Sequence, residues 1–196
     1  MVDLAMDLAP LYLRGTAVDA TRRFIFKRRD HPDWDRFWEQ LTPDQRHAME
    51  GNVQTKQWYL VPDHADVLAL AAQHLAPDEQ ETFLTDIGRF VMDDGVTTIY
   101  RMFFRVISPS FVIRLSALFW FQFYKGSKLK ILRRERRRVQ AVVAGASFCS
   151  VPLCHTIKGG MLAALEHAGA RRVVVDHHAC KSTSNKPSCE YHFSWW

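Results

Sequence analysis

The stretch Lys125-Gly-Ser-Lys-Leu-Lys-Ile-Leu-Arg-Arg-Glu-Arg-Arg-Arg-Val-Gln-Ala-Val-Val-Ala144 is where the sequence changes period. Leu129 and Ile131 alternate with Lys128 and Lys130, and Val139, Ala141 and Val143 alternate with Gln140 and Val142, the two-residue repeat of strands with one buried face. The Arg-rich segment between them is then the turn of a hairpin. Upstream of Gly126 the apolar residues recur instead at three- and four-residue intervals. Trp34, Phe37, Trp38 and Leu41 mark one amphipathic turn, with Pro32 near its start. Thr42, followed by Pro43, is placed to cap the next helix. Further helices are expected over 19–29, from Pro62 to Leu75, over 78–92 and over 96–106, where β-branched residues weaken the pattern.

Downstream, 152–167 reads as a helix closed near Gly169. Residues 172–176 read as a Val-rich strand, 181–188 as a polar loop and 190–196 as a last strand. Helices followed by an antiparallel sheet predict an α+β fold with a helical layer packed on a small C-terminal sheet. The whole chain, 1–196, is expected to be a single domain, with 1–125 mainly helical and 126–196 holding the sheet, a helix and a Cys/His metal site.

Charge is concentrated in the same deciding stretch. Residues 125–138 hold eight Lys or Arg against Glu135 alone, a local charge of +7 that leaves −2 for the rest of a chain whose formal total is +5. Arg133, Arg134, Arg136, Arg137 and Arg138 on one protruding turn form a candidate anion-binding surface for nucleic acid or anionic lipid. No aromatic residue interleaves the charged turn, so base stacking is not indicated. A solvated turn, or one that meets an acidic protein partner, is the competing reading. Asp3 and Asp7 fall where a secretion signal needs positive and apolar residues. The apolar window 111–124 is interrupted by Arg114 and Gln122 and is too short to span a bilayer. These features predict a cytoplasmic protein.

All four cysteines lie between Cys149 and Cys189. In a reducing compartment clustered cysteines point to metal ligation or buried thiols before disulfides. Cys149, Cys154, His155, His177, His178, Cys180, Cys189 and His192 are the available soft donors. His177 and Cys180 have pair-like spacing at a strand end, Cys189 opens the returning strand, and Cys154 starts the preceding helix. This makes Cys154, His177, Cys180 and Cys189 the expected ligand set of a tetrahedral site. Cys149 in place of Cys154, His178 in place of His177, and an all-cysteine site are its rivals.

The stretches Cys154-His-Thr-Ile-Lys-Gly-Gly-Met161, Arg172-Val-Val-Val-Asp-His-His-Ala-Cys180 and Ser188-Cys189-Glu-Tyr-His-Phe193 resemble the end of the 4-vinyl reductase domain. In the aromatic-sensing regulators that carry this domain the matching positions bind a structural zinc, which the resemblance places on Cys154, His177, Cys180 and Cys189. His177 stands where those sensors have a carboxylate, and the loop before Cys189 lacks their glycine. The rest of the chain, through Gly15, Trp34, Trp58, Pro109 and Gly126, is similar to myxobacterial proteins of about this length that share the fold. The wider superfamily also includes haem-based nitric-oxide sensors. The resemblance implies zinc ahead of haem, for which His64 and His74 are the helical candidates and whose Tyr-x-Ser-x-Arg clamp is absent. It also implies a homodimer through the helical layer.

Phe103, Phe104, Phe119, Trp120, Phe123 and Tyr124 supply flat apolar surface beside the expected sheet. They are the candidate lining of a pocket for a small hydrophobic ligand, with core or dimer interface as the alternative. The expected function is a non-catalytic sensory or ligand-binding domain with a structural zinc site. A protein-interaction or dimerisation module and a tetrapyrrole vinyl reductase are the alternatives. No dinucleotide fingerprint, phosphate loop or Ser/His/Asp spacing supports an enzyme.

Overall fold

A computed structural model describes residues 10–95, 108–184 and 186–196. The helix expected over 96–106 lies outside them. The described chain starts with a short strand, β1 (Tyr12–Arg14), that runs directly into α1 (Gly15–Phe26). Then follow α2 (Trp34–Gln40), α3 (Pro43–Met49), β2 (Trp58–Leu60), α4 (Val61–Leu75) and α5 (Gln80–Gly95). After α6 (Pro109–Phe119), a 3-10 turn at Trp120–Gln122 leads to β3 (Tyr124–Lys125) and the hairpin β4 (Lys128–Glu135) and β5 (Arg138–Ala144). The chain closes with α7 (Val151–His167), β6 (Val174–Ala179) and β7 (Cys189–Ser194).

The expected α+β class holds. A four-stranded antiparallel sheet in the order β4-β5-β7-β6 is joined by a second, three-stranded one in the order β2-β1-β3. The hairpin forms where the period changes: Leu129 pairs with Val143, Ile131 with Ala141 and Glu135 with Arg138. Inward residues of the central strands, among them Ala141, Tyr191 and Phe193, are fully or almost fully buried. The small sheet leaves no trace in residue order, because its strands are too short to show an alternating pattern. Trp58–Leu60 reads in sequence only as the lead into a helix, yet Tyr59 pairs with Leu13. The strand expected at 172–176 begins two residues later. Arg172 adopts a positive φ of 48°, so the strand starts only beyond it.

Local signals set the helix starts. Thr42 Oγ1 accepts from the Gln45 backbone N–H at 3.2 Å, and Gln45 Oε1 accepts from the Thr42 N–H at 2.9 Å. This reciprocal cap satisfies two donors that α3 would otherwise leave orphaned. Gln45 Nε2 also donates to the Asp63 carbonyl at 3.1 Å, tying α3 to the first turn of α4. Ser150 caps α7 through its hydroxyl, which accepts from Leu153 N–H.

Two large apolar clusters result among the described residues. One joins α1, α2, α4 and α5 through Ile25, Phe37, Leu68 and Ile87. The other lies between the inner sheet face and α7, around Val139, Leu153, Leu165 and Tyr191. Helix α7 bridges them by running against α5 at glycines. A Cβ on Gly88 would sit 1.9 Å from the Thr156 carbonyl oxygen, and one on Gly159 would sit 1.9 Å from that of Thr85. Ion pairs bracket this crossing: Arg89 with Glu166, Lys158 with Glu81 at 2.7 Å and His167 with Asp93 at 2.6 Å.

Gly88→Ala or Gly159→Ala forces two backbones apart and should cost ~1–3 kcal/mol or more, as overpacking does. Gly160→Ala is the control. Its Cβ would lie 3.5 Å from the Gly88 carbonyl oxygen, ordinary contact. There the helix propensity gain of about 1 kcal/mol should leave stability unchanged or raised. Denaturant midpoints at constant m-value measure both.

Candidate metal centre and adjoining cavity

The cysteines come from three places that the fold brings to one end of the sheet. Cys149 lies just before the α7 cap, Cys154 in the first turn of α7, Cys180 immediately after β6, and Cys189 at the first position of β7. Their four Sγ atoms all lie within 4.8 Å of one another. Cys149 Sγ is 2.8 Å from Cys189, 3.4 Å from Cys154 and 3.5 Å from Cys180. Cys154 Sγ is 3.7 Å from Cys180 and 3.6 Å from Cys189. No two are joined as a disulfide. Thiolates about 2.3 Å from a central tetrahedral ion would stand roughly 3.8 Å apart, close to most of these separations.

The set differs from the ligands expected from spacing and resemblance. Cys154, Cys180 and Cys189 are together as expected, but the fourth member is Cys149. His177 stands beside the cluster, stacked on Tyr191 with ring centroids 4.9 Å apart and edge-on to His155 at 6.2 Å. The tight Cys180–Ser184 turn explains the arrangement. Thr183 and Ser184 N–H groups and the Ser184 hydroxyl all donate to the Cys180 carbonyl. Lys181 Nζ donates to the Ala146 carbonyl at 2.7 Å. That bond draws the segment carrying Cys149 toward the loop. Tyr191, fully buried, donates its hydroxyl to the Cys154 carbonyl at 3.3 Å.

Four thiols this close cannot all ionise in the absence of a cation. Hydrogen bonds from Cys149 and Cys154 favour the thiolate of Cys189 against the opposing effect of burial, with His177 and the Lys181 backbone assisting. For Cys149, the bond with Cys154 pulls the other way but is outweighed by the Cys189 contact, burial and charge, so its thiol is pushed up to about 12. The bonds to Cys149 and Cys189, and then burial, raise the Cys154 thiol further. The cluster therefore stabilises one negative charge and resists more. A bound divalent ion reverses that balance.

Next to the cluster, between α7, the sheet and the 3-10 turn, is a cavity of about 20 Å³ lined by Trp120, Tyr124, Phe148, Leu153, Ile157 and the thiols of Cys149 and Cys154, among others. It has room for about one water. Trp120 stacks on Tyr124 at 4.5 Å and donates from Nε1 to Ser127 Oγ at 2.9 Å. Of the expected pocket residues, Trp120 and Tyr124 form its wall. Phe119 is exposed, Phe123 is half-buried and does not line the cavity, and Phe103 and Phe104 lie outside the described residues.

Arg133, Arg134, Arg136, Arg137 and Arg138 are all exposed around the β4–β5 turn, and Arg133 pairs with Glu135 at 3.0 Å. The turn stands apart from the thiols, at the other end of β5 from the Val143–Cys189 pair. Among the described residues, no helix is long and apolar enough to cross a membrane.

No family model and no curated protein matches the chain. Solved structures do. An H-NOX protein from S. oneidensis in the Fe(II)NO ligation state superposes with a TM-score of 0.67 at 12% identity, covering 94% of this chain and 99% of that one. An Fe(II) unliganded H-NOX protein from K. algicida gives 0.63 at 10% identity over 94% and 97%. A structure from a study of haem distortion in the H-NOX family gives 0.62 at 9% over 93% and 95%.

These neighbours correct the cofactor expectation. Cysteine spacing and the 4-vinyl reductase resemblance place zinc ahead of haem, whereas the proteins that share the fold are haem proteins, so that order is overturned. On this chain, His64 offers a buried helical imidazole, kept neutral by burial that lowers its pKa to about 4. As the described residues are packed, however, the water-sized cavity does not fit a macrocycle. At these identities the likeness is one of fold alone: the chain has the fold of the H-NOX proteins.

Proposed function

We propose that this chain is a non-catalytic sensory domain that binds a small apolar ligand between its helical layer and its sheet, with Cys149, Cys154, Cys180 and Cys189 clustered beside that space as a separate site able to take a thiophilic ion. The convergence of four thiols at the end of α7 carries the reading. A bound ion would supply the charge that lets all four thiols ionise, and a closed all-thiolate set leaves no position for substrate. The residues do the rest. Cys154 anchors the first turn of α7 to the loop after β6, and Leu153 and Ile157 from the same helix face Trp120 and Tyr124 across the cavity. A ligand entering there has to move that turn against the sheet. Binding would thus favour one packing of α7 over another, by no more than the ligand's difference in affinity for the two.

Reduced, chelator-treated protein titrated with Co(II) should develop thiolate-to-cobalt charge transfer and the strong visible bands of a tetrahedral centre, saturating at one equivalent. Cys149→Ala should abolish the signal and lower the melting temperature of the metal-loaded protein, whereas His177→Ala should retain the signal. No signal in the native sequence, or loss with His177→Ala alone, overturns the four-cysteine assignment. Because bound thiols must lose protons that Cys149 and Cys154 hold tightly, Co(II) affinity should fall as pH is lowered.

The shared fold favours a second reading, in which the sensed molecule reaches the protein on haem. Hemin added under reducing conditions distinguishes them. A Soret band that shifts with nitric oxide and is lost in His64→Ala establishes haem sensing through that helix. No band, with melting temperature raised by a small aromatic such as phenol, supports direct apolar ligand binding.

A further inference from the structure

The sheet has a second face, and its chemistry differs from that of the thiol side. We propose that Asp176, His178 and His192, on the outer face of β6 and β7, form a separate binding site for a late first-row divalent cation of the kind that prefers imidazole and carboxylate ligands. Asp176 and His192 are directly paired across the two strands. Between His177 and Ala179 the register shifts, and His178 is the residue so displaced. Bulges of this kind re-aim one side chain. Here the result is that the His178 ring stacks on His192 with centroids 4.6 Å apart and planes 13° from parallel. His178 Nδ1 lies 3.8 Å from Asp176 Oδ2. One donor atom from each of the three residues falls within 4.8 Å of the others.

The ring of His192 is already fixed. Its Nε2 is 2.7 Å from Glu190 Oε1, and Glu190 is in turn held by Gln140 Nε2 and by Lys186 Nζ at 3.3 Å. A carboxylate on one nitrogen of an imidazole whose other nitrogen takes the metal is the ordinary support of a histidine ligand. A cation with nitrogen and oxygen ligands at ~2.1 Å needs donors roughly 3–3.5 Å apart with both imidazole lone pairs aimed at it, so the exposed Asp176 and His178 side chains must close in and the His178 ring must turn out of its stack on His192. Two imidazoles with one carboxylate favour nickel, copper or iron over magnesium or calcium. The site is chemically distinct from the thiols, but Cys180 follows β6 by one residue and Cys189 opens β7. A cation pinning β6 to β7 would hold the two ends of the loop that carries half of the thiol cluster.

Ni(II) is the probe. Titrated calorimetrically into the reduced full chain, it should bind at one site whose filling develops no thiolate-to-nickel charge transfer. His178→Ala or His192→Ala should each weaken binding by about tenfold or more and Asp176→Asn by less, in line with the loss of a metal ligand. Magnesium at large excess should not compete. These positions are exposed or half-exposed, so circular dichroism and melting should match the parent. Failure of the unsubstituted chain to bind, or unchanged binding in the His178→Ala/His192→Ala double variant, overturns the site. Thiolate-to-nickel charge transfer reports any binding at the cysteines separately, so this outcome is independent of the four-cysteine assignment.

Discussion

Helix α7 can lie where it does only because Gly88 and Gly159 have no side chains. Any Cβ at either position would collide with a carbonyl oxygen of the facing helix. That constraint fixes how near the helical layer approaches the sheet, because α7 belongs to both. Through Leu162, Leu165 and Ile157 it fills the core over the sheet. Through the glycine contacts and the flanking ion pairs with Glu81, Asp93 and Arg89 it is bound to α5. The exposed ion pairs add little individually. Dispersion across two backbones in contact is the larger contribution, since every neighbouring atom is brought closer.

The position of α7 in turn places Cys154 opposite the end of β6 and the start of β7. Burying polarisable thiols is inexpensive, and cysteine packs as a small hydrophobe. Packing alone does not explain why four of them meet with sulfur separations near 3.5 Å while the chain commits a lysine, a serine and a tyrosine hydroxyl to holding their loops. Charge does. With only protons available, the geometry supports one thiolate, Cys189, solvated by its neighbours' S–H groups. With a divalent cation at the centre, the same geometry satisfies all four.

Much of this is legible in residue order. The period change at Gly126 marks the hairpin and its buried face, Thr42 with Pro43 announces the start of α3, and the clustering of cysteine announces a site. The parts that are not legible have physical reasons. Strands of two or three residues, such as Tyr124–Lys125 and Trp58–Leu60, are too short to carry a period. The choice of Cys149 over His177 depends on the turn after Cys180 and on Lys181 reaching the Ala146 carbonyl, long-range contacts that spacing cannot encode. His177 and His178 look interchangeable in sequence, yet a register shift sends them to different surroundings, one against Tyr191 and the other against His192. The order of cofactors fails for another reason. It rests on a local motif, whereas the fold is a property of almost the whole chain.

The basic hairpin and the thiol end divide β5 and β7 between them. Val143 pairs with Cys189 at one end, and Arg138 pairs with Ser194 at the other. Between the two ends, the strands are fixed by buried Val139, Ala141, Tyr191 and Phe193, so a change at the thiols has no soft segment through which to reach the arginines. The first turn of α7 is packed in the core and borders a water-sized cavity there, while its middle is held against α5 by the glycine contacts. Cys149 and Cys154 share that cavity with Trp120 and Tyr124, the stacked pair that follows α6, so the thiol end and the helical layer meet at one space.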